Sequence, residues 1–338
     1  MSEAQPTGGV SPLREMMRHI WPGAMAAQAI GVAAALRIPD LLANGTQSSE
    51  ELAVATNTHA PTLRRLLLAL VSLGMFSETT EGHFANTPMS EALRANHPKQ
   101  ARPWALFFTA PFIWNTLGEL QQAVTTGNSV FSSVHGMPFF AYLSDHPEDA
   151  RQFNAAMSAA PLSVPGVVAS YDFTGLESIT DIGGGHGALL EEILTRYPKP
   201  RGVLFDLPEV VSGVSELRSE RFRDRCQIVS GDFFKDIPES DAYILKRILH
   251  DWDDDQALAI LRNCRKAIKP NGKLLLIEAL LESRSEPAKR MLDLLMLVLS
   301  GGRERTEDDF RELLDAAGFR ITRLIRTPGP TIIESAPF

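Results

Sequence analysis

The chain has 338 residues, 44% hydrophobic and 22% charged, which is room for two domains with separate cores and an ordinary globular composition. A net charge of −8 argues against a surface built to hold nucleic acid or anionic lipid. Its two cysteines, Cys226 and Cys264, supply no disulfide framework and no metal-finger spacing, and both thiols are expected to be buried.

Residues 1–10, rich in glycine and polar side chains, read as a flexible tail without the basic and apolar segments of a signal peptide. Residues 24–36 form a small-residue apolar helix suited to close helix packing and too short to span a bilayer, so the expected compartment is the cytoplasm. Ser48-Ser49-Glu50-Glu51 opens a second helix with its cap and acids in place. A third starts at Pro61, with Leu63, Leu66, Leu67, Leu70 and Leu73 in one stripe. A hairpin follows over 76–85, turning at Glu81-Gly82. This order is that of a winged helix, but its recognition helix offers only Arg64 and Arg65, and Glu78 and Glu81 sit in the wing. DNA binding needs more cations than that.

Residues 104–124 read as a longer helical region bearing Trp104, Phe107, Phe108, Phe112 and Trp114, rings better explained as core than as pocket. Phe139, Phe140 and Tyr142 extend the aromatic content, with His135 and His146 in neighbouring loops. Phe153 and Met157 stand one helical turn apart on one face. Pro161, Pro165 and Gly166 end that helix.

From Ser178 onward short apolar strands alternate with helices: 179–182, 202–205, 226–230, 242–245 and 273–279, with 321–325 and 331–334 completing a sheet. Alternation of this kind predicts an α/β fold, a doubly wound, mostly parallel sheet with its ligand at the strands' C-terminal ends. Chemistry-bearing residues fall at those ends. The first strand runs through Asp181 into Gly183, Gly184, Gly185 and Gly187, a tight turn before an amphipathic helix, where backbone can approach a nucleotide-like ligand. Gly183, Gly185 and Ala188 also satisfy a dinucleotide pattern, so a nicotinamide enzyme has to be weighed. The second strand ends at Asp206-Leu207, a carboxylate placed to accept ribose hydroxyls; the third at Asp232-Phe233, an acceptor beside rings that suits adenine. The fourth ends in Lys246-Arg247-Ile248-Leu249-His250-Asp251-Trp252.

This series resembles the class I O-methyltransferases of the caffeic acid and hydroxyindole type, whose cofactor is S-adenosyl-L-methionine. A dehydrogenase has no reason to carry the Gly-Asp-Phe and His-Asp-Trp segments at these strand ends. The resemblance runs from about Leu36 to the C-terminus and implies a winged-helix-like, helical N-terminal dimerisation domain over 1–100 that makes a homodimer. A helical linker and substrate-pocket region over 101–170 and a methyltransferase domain over 171–338 follow. It further implies that Asp181, Gly183, Gly185, Asp206, Leu207, Asp232, Phe233 and Lys246 hold the cofactor. Phe153, Met157, Asp251 and Trp252 would contact a small aromatic acceptor.

Removing a proton from a phenol, pKa about 10, calls for a base near neutrality, and His250 after the fourth strand is the natural choice. Glu278 ends an apolar strand and needs a partner. In Gly301-Gly302-Arg303-Glu304-Arg305-Thr306, the resemblance makes Glu304 the second carboxylate flanking the base. Asp253-Asp254-Asp255 reads as a helix start with Asp253 as N-cap, so no metal is expected. Arg247 and Ser300 depart from the plant pattern, which points to a microbial natural-product enzyme. Other reactions on the same fold, such as N-methylation, hydroxylation or decarboxylation, stay open.

Overall fold

The computed structural model describes residues 11–338 apart from 81, 99, 160–163, 215 and 328, so the N-terminal tail, the hairpin tip at Glu81 and the helix stop at Pro161 lie outside the described residues. The chain divides after Trp114 into two compact units. Residues 101–170 are shared between them rather than forming a body of their own.

In the first unit, helix α1 (Pro12–Ala35) begins well before residues 24–36 and runs through Pro22. Gly31 lets it come close to α4 (Ala101–Thr109): a Cβ there would stand 2.7 Å from Thr109 Cβ. Between them lie β1 (Gln47–Ser48), α2 (Ser49–Thr56), α3 (Ala60–Ser72), β2 (Phe76–Thr80) and β3 (His83–Asn86). Ser48 caps α2 by a reciprocal box, accepting from Glu51 N at 3.1 Å while Glu51 accepts from Ser48 N at 2.7 Å. Leu63, Leu67 and Leu70 of α3 are buried, but Leu73 lies past the last turn and is exposed. The hairpin gains β1 as a third strand, in the order β1-β3-β2.

The helical region expected over 104–124 consists of α4, α5 (Pro111–Gly118) and α6 (Leu120–Thr126), with Pro111 unable to continue α4. In the second unit, α7 (Phe139–Asp145) and α8 (Pro147–Ser158) precede the sheet. The strands are β4 (Ser178–Ile182), β5 (Arg201–Asp206), β6 (Cys226–Ser230), β7 (Ser240–Lys246), β8 (Ile268–Glu278), β9 (Phe319–Arg326) and β10 (Thr331–Pro337). Helices α9 (Ala188–Arg196), α10 (Asp254–Ala267), α11 (Pro287–Leu299) and α12 (Glu307–Ala316) connect them.

The order is β6-β5-β4-β7-β8-β10-β9, parallel through β8, with β10 antiparallel to both neighbours. Central strands are apolar on both faces: Ala242, Ile244, Leu275 and Ile277 enter one core, Tyr243, Leu245, Leu274 and Leu276 the other. The direction of winding reverses between β4 and β7, where a doubly wound sheet opens a crevice at its C-terminal edge. Cys264 is buried as expected; Cys226, on the edge strand, is only half-buried. No single helix among the described residues is long and apolar enough to cross a membrane.

Candidate active site

The turn after β4 is built by left-handed glycines, with φ of +65° at Gly183, +60° at Gly185 and +83° at Gly187. A Cβ on Gly184 would meet the Asp181 carboxylate at 2.7 Å, and one on Gly187 the Leu204 side chain at 3.2 Å, so the turn is pressed onto the sheet. Above Gly185 there is open space, with nothing within 4 Å of where a Cβ would stand. Asp206, at the end of β5, accepts from Gly185 N at 2.8 Å and Leu207 N at 2.7 Å. These bonds aim its remaining lone pairs and oppose the rise in pKa that burial imposes.

Asp181 is buried, its Oδ1 has no hydrogen-bond partner, and burial pushes its pKa up to about 7 despite the charge of Lys246. Burial in turn lowers the Lys246 ammonium, which Asp181 partly restores. Asp232 Oδ1 accepts from Phe234 N at 2.9 Å, and its Oδ2 lies 3.3 Å from Lys235. Phe233 and Phe234 both meet Trp252 edge-on, at 6.0 and 4.7 Å. Open backbone, a fixed carboxylate, a buried acid with a spare lone pair and flat apolar rings suit a nucleoside carrying a charged tail.

Across the crevice, a short turn after β7 carries His250. His250 Nδ1 and Glu304 Oε1 lie 2.8 Å apart, both residues buried. On the other side of the ring, Nε2 faces Asp251 Oδ1 at 3.6 Å, too far for a hydrogen bond. Burial pulls the imidazole pKa down, but the Asp251 charge and the Glu304 hydrogen bond outweigh it and leave it above the ordinary value. Asp251 is itself raised by burial.

Glu278 does not bond the ring. Its Oε1 accepts from Ile248 N at 3.2 Å and Leu249 N at 3.1 Å, holding the turn, while Oε2 is buried without a partner. Burial lifts its pKa to about 7. It reaches His250 through charge alone, the nearest ligating atoms of His250, Glu278 and Glu304 lying within 4.8 Å of one another. Two participants were not among the expected site residues. Arg247 sits at a left-handed φ of +56° and its charge acts on His250, Asp251 and Glu278. Arg305 is wholly buried beneath the turn. A cation in the run Lys246-Arg247 was visible, but nothing in the sequence says where it points.

Aromatic side chains flank the same turn. Phe140 of α7 stacks on Trp252 at 5.3 Å, and Phe153 of α8 meets Phe139 and Phe140 edge-on. His135 Nε2 lies 3.1 Å from Thr116 Oγ1, and His146 stacks on Tyr142 at 3.7 Å. Asp253 caps α10, accepting from Gln256 N at 2.8 Å, and Asp254 pairs with Arg303 and Arg305, so this acidic run opens a helix.

Comparison with known proteins identifies the family. The O-methyltransferase domain profile matches residues 114–320, and the O-methyltransferase dimerisation domain profile matches 19–96. The chain belongs to the O-methyltransferase family. It is 40% identical to the phenazine O-methyltransferase of Lysobacter antibioticus, over all of both chains. A crystal structure of an O-methyltransferase from neocarzinostatin biosynthesis, in complex with S-adenosylmethionine and 2-hydroxy-5-methyl naphthoic acid, superposes with a TM-score of 0.84 at 32% identity. It covers 93% of this chain and 96% of the other. An 8-amino-8-demethylriboflavin N,N-dimethyltransferase of Streptomyces davaonensis is 36% identical over 85% of each chain. This O-methyltransferase is an enzyme that uses S-adenosylmethionine, built from a helical dimerisation domain and a mostly parallel seven-stranded sheet.

Proposed function

We propose that this O-methyltransferase methylates a hydroxyl of a small aromatic or polyketide-like molecule, with His250 as general base. The carrying observation is the pairing of His250 Nδ1 with Glu304 Oε1 at 2.8 Å, while Nε2 is left without a hydrogen bond to Asp251. A carboxylate at Nδ1 keeps the neutral ring's proton there and puts the lone pair on Nε2. The acceptor hydroxyl gives its proton to Nε2; Glu304 and Asp251 then stabilise the imidazolium. Asp251, beside Nε2, orients the hydroxyl. Glu278 holds the turn through the amides of Ile248 and Leu249 and adds to the negative charge around the ring.

In this reading Gly183, Gly185, Asp181, Asp206, Leu207, Asp232, Phe233 and Lys246 hold the cofactor. When bound, S-adenosylmethionine supplies an electrophilic methyl group on a good leaving group, so the protein's tasks are alignment and proton removal. Phe153, Met157 and Trp252 flank a planar acceptor. The match of the dimerisation profile supports a homodimer.

N-methylation is the second reading, favoured by the N,N-dimethyltransferase relative. An aromatic amine is nucleophilic without prior deprotonation, so it would depend far less on His250. Incubation with methyl-labelled S-adenosylmethionine and a panel of hydroxylated and aminated aromatic acids, naphthoates and phenazines separates the two. Label on oxygen, lost in His250→Ala, is the expected result. Label only on nitrogen, retained in that variant, would overturn it.

A further inference from the structure

We infer that Arg305 is a positioning residue for methyl transfer: its buried guanidinium locks the turn carrying His250 against the loop carrying Glu304, and so sets the aim of the hydrogen bond between them. The inference rests on the reading of His250 as base. Arg305 Nη1 donates to Leu249 O at 2.6 Å and Nη2 donates to Trp252 O at 2.9 Å. Those carbonyls bracket His250-Asp251, and Arg305 adjoins Glu304 in the chain. Nε and Nη2 also donate to Asp254 Oδ1 at 3.0 and 2.7 Å, tying in the first turn of α10. The backbone carbonyl of Arg305 accepts from Leu281 N at 3.0 Å, three residues beyond Glu278. One residue thus joins the three segments that deliver His250, Glu278 and Glu304.

Neighbouring residues work in the same direction. Gly302 presses on the turn so closely that a Cβ would stand 2.5 Å from the Asp251 carbonyl carbon. Glu304 N donates to Asp293 Oδ1 at 2.9 Å, fixing the loop from behind. The Arg305 side chain is 0% exposed, whereas its counter-ion Asp254 is 58% exposed. Burying a charge against a half-solvated partner is a poor device for stability, and an apolar side chain would fill the volume at lower cost. A planar fork of five donors, by contrast, fixes several acceptors in one geometry, which an ammonium cannot do.

The test compares wild type, Arg305→Lys and His250→Ala, reading three quantities. These are the titration of His250 followed by NMR of ring-labelled histidine, affinity for S-adenosylhomocysteine, and kcat on the acceptor the panel identifies. Lysine keeps the charge but loosens the turn, so the Glu304 hydrogen bond lengthens. The expected result is a His250 midpoint at least half a pH unit lower, kcat down about tenfold or more, and by-product affinity within twofold. A merely structural arginine would lower the melting temperature and leave the midpoint in place; that outcome, or wild-type kcat, overturns the inference. Full turnover in His250→Ala removes the base itself and the inference with it, whereas an inactive His250→Ala beside a normal Arg305→Lys removes only the inference. Should Arg305→Lys not fold, Asp254→Asn at the exposed end of the network decides: a smaller fall in midpoint and kcat supports, no change in either overturns.

Discussion

Glu304 Oε1 and His250 Nδ1 meet at 2.8 Å across 54 residues of chain, in a site where both side chains are buried. A hydrogen bond to a carboxylate in such surroundings governs both which ring nitrogen holds the proton and how readily the other accepts one.

From that pair follows the first prediction. His250→Ala should lower kcat by about 10²-fold or more while affinity for S-adenosylhomocysteine stays within twofold, because a general base, the role proposed for His250, acts only in the chemical step. Glu304→Gln keeps the shape but not the charge, and its kcat falls about tenfold or more. Calorimetry with the by-product, alongside initial rates, checks both; equal losses in binding and turnover would show that His250 shapes the cofactor site instead.

The second prediction concerns pH. In the proposed role His250 works when neutral, and its folded pKa is raised above the ordinary 6.5, so the acid limb of kcat is expected above 6.5 in wild type. Glu278 is one of the charges that raise it. Glu278→Gln, which preserves an oxygen for the Ile248 and Leu249 amides, therefore moves the limb to lower pH. Stability moves as well. Glu278 has a folded pKa of about 7 against 4.5 as a free side chain, so its folded form holds a proton longer than the unfolded one. The stability this gives below pH 4.5 is lost as pH rises towards 7. Thermal unfolding should show Glu278→Gln gaining on wild type between pH 5 and 8, about 1–3 kcal/mol at most; a wild type that holds or gains ground against the variant over that range would refute the assignment.

Much of this was legible in the sequence, and the reason is local. Glycines that must adopt positive φ, a Ser-x-x-Glu cap and short apolar runs ending in Asp206, Asp232 or Lys246 each follow from chemistry within a few residues. Helix α1 starts well before the apolar run at 24–36 because its first half, which contains Pro22, carries no such run to reveal it. Glu278 and Glu304 could be nominated from sequence, but not which of them touches the imidazole, since that depends on loops 54 residues apart. Arg305 stands beside Glu304 in the sequence, but only folding shows that the Leu249 and Trp252 carbonyls converge on it.

Gly185 gives the third prediction. Its φ of +60° costs an alanine about 1–2 kcal/mol, yet the space where the methyl would go is open. Gly185→Ala should therefore fold, with a melting temperature a few degrees lower. Its methyl projects where a ligand would lie against the turn, so by-product affinity should fall about tenfold. Unchanged affinity would move the cofactor away from this turn.

The fourth prediction addresses the exposed face of α1. Leu13, Met16, Met17, Ile20, Trp21 and Met25 recur on one helix and are 41–64% exposed, an apolar stripe of the kind that a second protein surface covers. The dimerisation profile over residues 19–96 includes part of it. Sedimentation of the wild-type chain at micromolar concentration should give about twice 37.1 kDa. A charge in the middle of the stripe, Ile20→Glu, should shift the equilibrium to monomer, because an unpaired carboxylate in an apolar interface costs several kcal/mol. Far-ultraviolet circular dichroism separates dissociation from unfolding: retained helix content in a monomeric Ile20→Glu supports the assignment. A variant that remains fully dimeric would place the contact between subunits on some other face.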